Sequence, residues 1–463
     1  MGALLERGGT PVDEMTDQTW PPARTSWTMV ALLTVAYILS FVDRSILGLL
    51  IEPIKADMHI SDEQAGYLMG LAFAIFYGTI GIPLGWLADR KRRTWIVSAG
   101  IAIWSLATAA SGLVRSFPQL FVARMTIGIG EAALSPCAMS MIGDSFPPER
   151  RGKPVAVYSA ALGLGSGIAS LIGAGVLTWA KTSAGMVLPI IGAVKPWQAA
   201  FLAVGLPGLL LSVIFLFMRE PRRQTPSESS ALTTSGFADM FAYVWARRGA
   251  FLGLILLVCV MTVTVYGQGF TASAFHRKYG WETQHYALIN GLITLAIGPA
   301  MVTGIGILCD YWRKSGQEDA PFKLLTMGFV VMIIGASTGL FMPTPELALV
   351  VLSIGAMGVG AITITGIITL LDITPAAIRG QVVAIYYMLI SITGLGIGPT
   401  VVGWLSTHVF GEDHLYLAVS AVPAAFGAFG LLMLPYIGKQ YRQQRAIVAG
   451  RLSIGVESGG VGG

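Results

Sequence analysis

The sequence predicts an all-α polytopic membrane protein with twelve transmembrane helices in two pseudo-symmetric six-helix bundles. Three observations carry this prediction: an apolar composition, twelve apolar segments, and two motifs that each occur twice. The chain has 463 residues, of which 54% are hydrophobic and 12% are charged, and its mean hydropathy is +0.69. A soluble domain carries about twice that share of charge.

Twelve apolar segments are long enough, at about twenty residues each, to cross a bilayer as helices. They cover residues 28–51, 64–87, 95–113, 118–143, 154–179, 197–218, 250–274, 285–309, 323–342, 346–371, 381–408 and 415–437. The predicted organisation is a tail (1–26), a bundle (27–218), a link (219–249), a second bundle (250–437) and a second tail (438–463). Within the link, residues 237–248 have the spacing of an amphipathic helix at the membrane surface.

The distribution of lysine and arginine predicts the orientation. With both termini in the cytoplasm, the inside segments hold 22 of the 30 basic residues, the outside segments hold 6, and two lie within spans. The basic residues are dispersed among short loops, which argues against nucleic-acid binding. No nucleotide-binding loop, zinc-ligand spacing or nucleophile elbow occurs, so we expect no cofactor, no metal and no enzymatic activity, and an ion gradient as the driving force.

Two loop motifs occur once in each half. GWLADRKRR follows the second span and GILCDYWRK follows the eighth, with Gly85, Asp89 and Arg93 matched by Gly306, Asp310 and Arg313. PPERRG follows the fourth span and PAAIRG the tenth, with Pro147, Arg151 and Gly152 matched by Pro375, Arg379 and Gly380. Because the motifs recur at matching places, with their first residues 221 and 228 residues apart, we infer a duplicated six-span unit.

The paired loops and the six-plus-six layout resemble the major facilitator superfamily. Within it, the segments FVDRSILGLL, ARMTIGIGEAALSP and DSFPPERRG together resemble the Spinster family of lipid transporters. The resemblance implies alternating access, an amphipathic lipid substrate and a bacterial inner (plasma) membrane location. It also implies that spans one and four of each half line a central cavity.

The loop charges are candidates for a cytoplasmic gate that closes by pairing across the two halves. The members of this predicted gate are Gly85, Asp89, Arg93, Arg151, Asp310, Arg313 and Arg379. The alternative is that these charges only keep their loops in the cytoplasm.

Ionisable residues at membrane depth lie only in the first half. They are Asp43 and Arg44 in span one, and Arg124 and Glu131 in span four. Residues of this kind are costly in a bilayer and mark substrate or proton pathways. Arg124 and Glu131 are seven residues apart and share a helix face. With the first span ending at 51, Asp43 lies about 12 Å below its outer end, between Arg124 at about 9 Å and Glu131 at about 20 Å.

We therefore expect Asp43 and Glu131 to bind protons and Arg124 to bind an anionic headgroup. The planar guanidinium suits a phosphate bidentately. Arg44, adjacent to Asp43, is expected to point away from this group. The alternative is a permanent Asp43–Arg124 ion pair that only stabilises the bundle.

The second half offers weakly polar candidates for substrate contact, namely Tyr266, Asn290 and Tyr387. Polar groups at such positions also serve helix–helix packing. The predicted function is a monomeric, proton-coupled secondary active transporter of amphipathic anionic lipids, of the lysophospholipid or sphingoid-phosphate type. The alternatives are a proton-coupled carrier of small organic anions or drugs, and a non-transporting membrane receptor on the same fold.

Overall fold

In the computed structural model the chain is a bundle of long helices. The structure describes residues 20–182, 187–188, 192–223 and 237–457. Within these ranges the helices are α1 (Ala23–Met58), α2 (Asp62–Met69), α3 (Leu71–Arg90), α4 (Arg93–Ser111), α5 (Phe117–Glu131), α6 (Leu134–Ser145), α7 (Gly152–Thr182), α8 (Pro196–Phe217), α9 (Phe237–Ala246), α10 (Arg248–Gly267), α11 (Thr271–Tyr279), α12 (Thr283–Lys314), α13 (Ala320–Thr338), α14 (Pro345–Asp372), α15 (Arg379–Leu405) and α16 (Leu415–Glu457). Strands β1 (Val187–Leu188) and β2 (Gly192–Ala193) pair antiparallel before α8.

The predicted number of spans agrees with the structure. Among the described residues, eleven helical stretches are long and apolar enough to cross a membrane. The twelfth span is the pair α2 and α3, which is interrupted at Gly70 and runs from Asp62 to Arg90. Each predicted apolar segment overlaps one of these twelve spans. Helix α9 lies within residues 237–248 of the link, and its location at the membrane surface stays a prediction.

The fourth span is broken where a proline requires it. Helix α5 ends at Glu131 and α6 begins at Leu134. Pro136 lacks a backbone N–H, and its ring collides with the carbonyl four residues earlier, at Ala132. A proline within an apolar segment predicts a kink, and the structure has one here, directly after the buried Glu131.

Two helices extend beyond the predicted segments. Helix α1 continues to Met58 rather than ending at 51, so Asp43 lies about 22 Å from its end, deeper than predicted. Helix α16 continues past 437 to Glu457. Its extension is anchored in the second half, because Tyr441 is fully buried and its hydroxyl donates to Asp372 Oδ2 at 2.9 Å.

The internal repeat is visible in two matching helix crossings. A Cβ added at Gly130 of α5 would lie 2.7 Å from the Gly100 carbonyl oxygen of α4. At Gly358 of α14 the same atom would lie 2.3 Å from the Gly328 carbonyl oxygen of α13. Both members of the second crossing follow those of the first by 228 residues, so the two halves share one register in these helices.

The two halves meet along α2–α3 and α15, but only for part of their length. Successive contacts join Asp62 to Gly403, Gly66 to Pro399, Gly70 to Leu395, and Gly78 to Ile392. Beyond Gly78, a Cβ at Gly81 or Gly85 would have no described atom within 4 Å. The same holds on α12, where Gly291 packs on Leu171 of α7, whereas a Cβ at Gly304 or Gly306 would have no described atom within 4 Å. The halves therefore converge at one end and separate toward the other.

We call the end where the halves converge the closed end, defined by Asp62, Arg277 and Glu412. The opposite end, defined by Arg93, Arg313 and Arg379, is the open end. At the closed end Arg277 of the second half binds Asp62 of the first at 2.7 Å. Within the described residues, the ion pairs at the open end each stay inside one half.

Candidate functional site

The centre of the candidate site is an ion pair between Arg44 of α1 and Glu131 at the end of α5. Glu131 Oε2 accepts from Arg44 Nε at 2.7 Å and lies 2.6 Å from Nη2. The Arg44 side chain is 15% exposed and that of Glu131 is 1% exposed. Glu131 Oε1 is buried and has no hydrogen-bond partner among the described residues. Within these residues, the Glu131 carboxylate is therefore hydrogen-bonded by the Arg44 guanidinium alone.

Aromatic rings hold the Arg44 guanidinium in place. Its carbon lies 4.7 Å from the centre of the Phe73 ring and 4.9 Å from that of Tyr77. Both rings belong to α3, which approaches α5 closely because Gly128 lacks a side chain: a Cβ there would lie 2.7 Å from the Phe73 carbonyl oxygen. Cation–π contacts of this kind favour a partly desolvated arginine.

Arg124 is placed differently from the prediction. It is 2% exposed, and its guanidinium donates to backbone carbonyls, from Nε to Leu68 at 3.4 Å and from Nη1 to Asp43 at 3.2 Å. We predicted that Arg44 points away and that Arg124 lies with the carboxylates. In the structure, Glu131 instead pairs with Arg44. Asp43 and Arg44 do diverge from α1, but the longer side chain reaches across Phe73 to Glu131.

Asp43 is a second buried carboxylate beside this pair. It is 2% exposed, and its Oδ1 has no hydrogen-bond partner within the described part of the chain. Burying a carboxylate without a partner is costly if it is charged. The site therefore contains two carboxylates that differ in partner: Glu131 is held by Arg44, whereas Asp43 lies beside the Thr108 hydroxyl and the positive charge of Arg124.

Of the three candidates in the second half, the structure brings Tyr266 to the charged pair. Tyr266 of α10 lies within interaction distance of Arg44 and packs against the core of the first half. Tyr387 of α15 is 52% exposed and packs edge-on against Tyr386 at 5.2 Å. Asn290 is half-buried on α12, next to the glycine that packs against α7.

In the first half, the predicted gate residues at the open end bind their own half. Arg93 is 1% exposed and pairs with Asp144 and, at 2.9 Å, with Glu220. Arg151 Nε donates to the Phe146 carbonyl at 2.8 Å. Gly85 faces open space.

The second half repeats these contacts. Arg313 pairs with Asp372 at 2.6 Å, and Arg379 Nε donates to the Thr374 carbonyl at 3.1 Å. Asp310 is exposed, and the side chain of Asp89 lies outside the described residues. Because the halves are apart at this end, pairing across them remains a prediction for another conformation.

A network of charged residues at the closed end was not predicted from the sequence. Asp62 is fully buried and bonded to Lys55, to Arg277, and to Ser406 Oγ at 2.6 Å. Lys55 also reaches Glu412 Oε2 at 2.8 Å. The available signal was the presence of both charge signs at the outer ends of spans one, two, seven and eleven.

Comparisons with known proteins agree with this architecture. The sequence model of the Major Facilitator Superfamily matches residues 33–318. The fold is similar to the crystal structure of a bacterial homologue of the human lysosomal transporter Spinster in an inward-facing, unoccupied conformation. The TM-score is 0.77 at 24% identity, covering 92% of this chain and 98% of that one.

Two relatives illustrate the range of the family. An MFS-type efflux pump of Mycolicibacterium smegmatis is 27% identical over 432 residues, covering 91% of this chain and 94% of that protein. Protein spinster of Drosophila melanogaster is 25% identical over 240 residues, covering 52% of this chain and 37% of that protein. The chain thus belongs to the Major Facilitator Superfamily, as an integral membrane transporter related to the Spinster proteins and not an enzyme.

Proposed function

We propose that the protein is a proton-coupled secondary transporter of amphipathic anionic lipids, of the lysophospholipid or sphingoid-phosphate type. The observation that carries this proposal is the buried Arg44–Glu131 pair. Tyr77, over which Arg44 lies, is next to Gly78, where the contacts of α3 with α15 end. The pair therefore sits at the point from which the space between the halves widens.

Protonation of Glu131 and binding of the substrate anion are coupled through the Arg44 guanidinium. When Glu131 accepts a proton it no longer neutralises Arg44, whose planar fork then binds a phosphate with two hydrogen bonds. An arginine left without a partner at this depth is strongly unfavourable, so the anion arrives as the carboxylate is neutralised. Asp43 is the second proton-binding carboxylate. Arg124, predicted as the anion ligand, is enclosed in this conformation and supplies positive charge beside Asp43.

The apolar part of such a substrate would contact the surface of α12. This helix has a mean hydropathy of 2.1 in its most apolar stretch, yet only 6% of that stretch is buried. Most residues of α12 are partly buried or exposed although the helix packs closely on α7 at Gly291, so part of its surface borders lipid. Its remaining surface faces the separation between the halves, beside Asn290, and suits an acyl chain.

The difference between the two ends supports alternating access. Basic residues concentrate at the open end, as in residues 90–93 and 150–153, which supports a cytoplasmic location for that end and for both termini. On this orientation the structure faces inward. In the opposite state we expect the closed-end network to break and the gate residues Asp89, Arg93, Asp310, Arg313, Arg151 and Arg379 to join the halves.

A second candidate is a proton-coupled carrier of small organic anions or drugs. The full-length similarity to an efflux pump favours it, and Arg44 would bind a carboxylate as well as a phosphate. The two candidates differ in the apolar part of the substrate and therefore in whether the exposed surface of α12 is used.

Flux into proteoliposomes separates these candidates. We expect labelled lysophosphatidylglycerol to enter faster with an imposed pH gradient, and unlabelled lysolipid to compete where short organic acids do not. Arg44→Lys should remove the flux because lysine lacks the bidentate fork. The matched control is Arg115→Lys, at an exposed position. Competition by short acids alone would favour the second candidate, and flux independent of pH would refute proton coupling.

A further inference from the structure

A basic cavity lies at the open end, outside the site described above. Its volume is about 400 Å³, and residues 90–92 and 220–223 line it. Five of these side chains are cationic, and one, Glu220, is a carboxylate. We propose that this cavity binds the phosphate headgroup of an anionic phospholipid of the surrounding leaflet, as a site separate from that of the transported substrate.

The charge of the cavity is not neutralised from within. Glu220 Oε1 accepts from the backbone N–H of Arg93 at 3.1 Å and from its Nε at 2.9 Å. Its other oxygen lies 3.7 Å from Arg92 Nε. The negative charge of Glu220 therefore mainly neutralises the buried Arg93, which lies behind the cavity wall. Among the described residues, the exposed cations, which include Lys91 and Arg222, lack an equal number of partners, and a phosphate diester supplies the missing negative charge.

The walls are fixed in advance of binding. Arg223 Nη2 donates to the carbonyls of Ala88 at 2.7 Å and Lys91 at 2.8 Å. It thereby ties the segment after α8 to the end of α3. Arg93 Nη2 adds a bond to the Pro221 carbonyl at 3.0 Å. A preformed cavity loses little conformational freedom on binding.

Flanking tryptophans place the cavity at headgroup depth. The Arg90 guanidinium lies 4.0 Å from the ring centre of Trp86, and that of Arg92 lies 4.7 Å from the ring centre of Trp95. Both indoles are more than half exposed, at 57% and 53%. Exposed tryptophan beside arginine is typical of the membrane–water interface. Basic pockets between spans at that depth attract anionic headgroups, so the ligand is a bilayer lipid.

A cavity at the matching end of the second half differs in its charge. A cavity of about 380 Å³ there contains Arg313, Arg379 and Arg445. Two of these arginines are already paired, Arg313 with Asp372 at 2.6 Å and Arg445 with Glu318 at 3.1 Å. The lipid site is therefore expected in the first half alone.

Thermal unfolding of the purified full-length protein in neutral detergent tests the proposal. We expect dioctanoyl phosphatidylglycerol to raise the Tm, and dioctanoyl phosphatidylcholine and glycerol 3-phosphate to leave it unchanged. Each cation near a membrane surface accounts for about a fivefold difference in affinity. The double variant Lys91→Gln/Arg222→Gln should thus need about twenty-fivefold more phosphatidylglycerol for the same shift.

Two controls separate this site from other sources of binding. Lys314→Gln/Lys439→Gln removes the same charge from exposed positions in the second half and should leave the shift intact. Arg44→Gln disables the proposed transport site and should also keep the shift, so the two proposals fail independently. An equal shift with phosphatidylcholine or glycerol 3-phosphate, an unchanged response in Lys91→Gln/Arg222→Gln, or a loss of response in Arg44→Gln would overturn the proposal.

Discussion

The two halves share a scaffold but differ in their buried charges. The crossing of α4 and α5 at Gly130 recurs 228 residues later at Gly358, where α13 crosses α14. In that register the counterpart of Glu131 is Val359, and the counterpart of Arg124 is Leu352. The duplicated unit thus conserved its helix packing, while ionisable groups at membrane depth belong to the first copy.

Helix packing and the placement of buried charges are therefore separable in this fold. Helix crossings depend on small residues that let backbones approach, and both halves have them. The proposed proton and anion chemistry involves Arg44, Glu131 and Asp43, which all belong to the first half. The second half then contributes Tyr266 and apolar surface, which suits a substrate with one charged and one apolar end.

Breaking the pair that sets the halves apart should have the largest effect. Glu131→Gln leaves Arg44 without a partner, and we expect a loss of about 3–5 kcal/mol in unfolding free energy. The double variant Arg44→Gln/Glu131→Gln should recover much of that loss, because no unpaired charge remains. Chemical denaturation in detergent measures both. Val359→Ala, at the matching position, is the control and should cost far less; equal losses at both positions would contradict the account.

The closed end joins the halves, and weakening it should change their arrangement. Asp62→Asn removes the carboxylate shared by Lys55 and Arg277, and a loss of about 3 kcal/mol changes the population ratio about a hundredfold. Spin labels at Lys181 and Glu282, an exposed pair across this end, should report a longer distance. An unchanged distance distribution would show that packing alone keeps this end shut.

The shared crossing should respond alike in both halves. Gly358→Ala and Gly130→Ala place a methyl group against a backbone carbonyl and should each cost about 1–3 kcal/mol, with the larger loss at Gly358, where the contact is shorter. Gly175→Ala is the control, since nothing lies within 4 Å of its Cβ position. Thermal unfolding measures all three, and a stable Gly130→Ala variant would argue against the matched register.

The smallest effect is expected at the repeated loop arginines. Arg151→Lys and Arg379→Lys each lose the Nε bond to the carbonyl five residues earlier. One hydrogen bond contributes about 1 kcal/mol, so both variants should lose similar, small amounts of stability. A large loss in only one half would show that its loop has taken on a further role.

Most of the fold could be predicted from the sequence. Apolar segments and the doubled loop motifs indicated twelve spans in two halves, and Pro136 marked the break after Glu131. The length of α1 beyond residue 51 could not be predicted, because Glu52 and Lys55 look like loop charges. They remain helical, since their partners Arg277 and Glu412 come from the other half.

The members of the site were predictable, but their pairing was not. Asp43, Arg124 and Glu131 are evident as charges in apolar runs. That Arg44 binds Glu131 depends on the close approach of α3 to α5 at Gly128, which lays Phe73 beneath the guanidinium. Helical spacing within one span does not contain that information. Contacts between segments that are distant in sequence determine that Glu131 pairs with Arg44 and not with Arg124.

We propose that the substrate anion and the Glu131 carboxylate compete for binding to the Arg44 guanidinium. Binding of lysophosphatidylglycerol to the purified protein in weakly buffered alkaline solution tests it, with a pH-sensitive dye as the readout. The account predicts uptake of about one proton per anion bound, as Glu131 leaves the guanidinium, and none in Glu131→Gln. Anion binding without proton uptake, or equal uptake in Glu131→Gln, would contradict it.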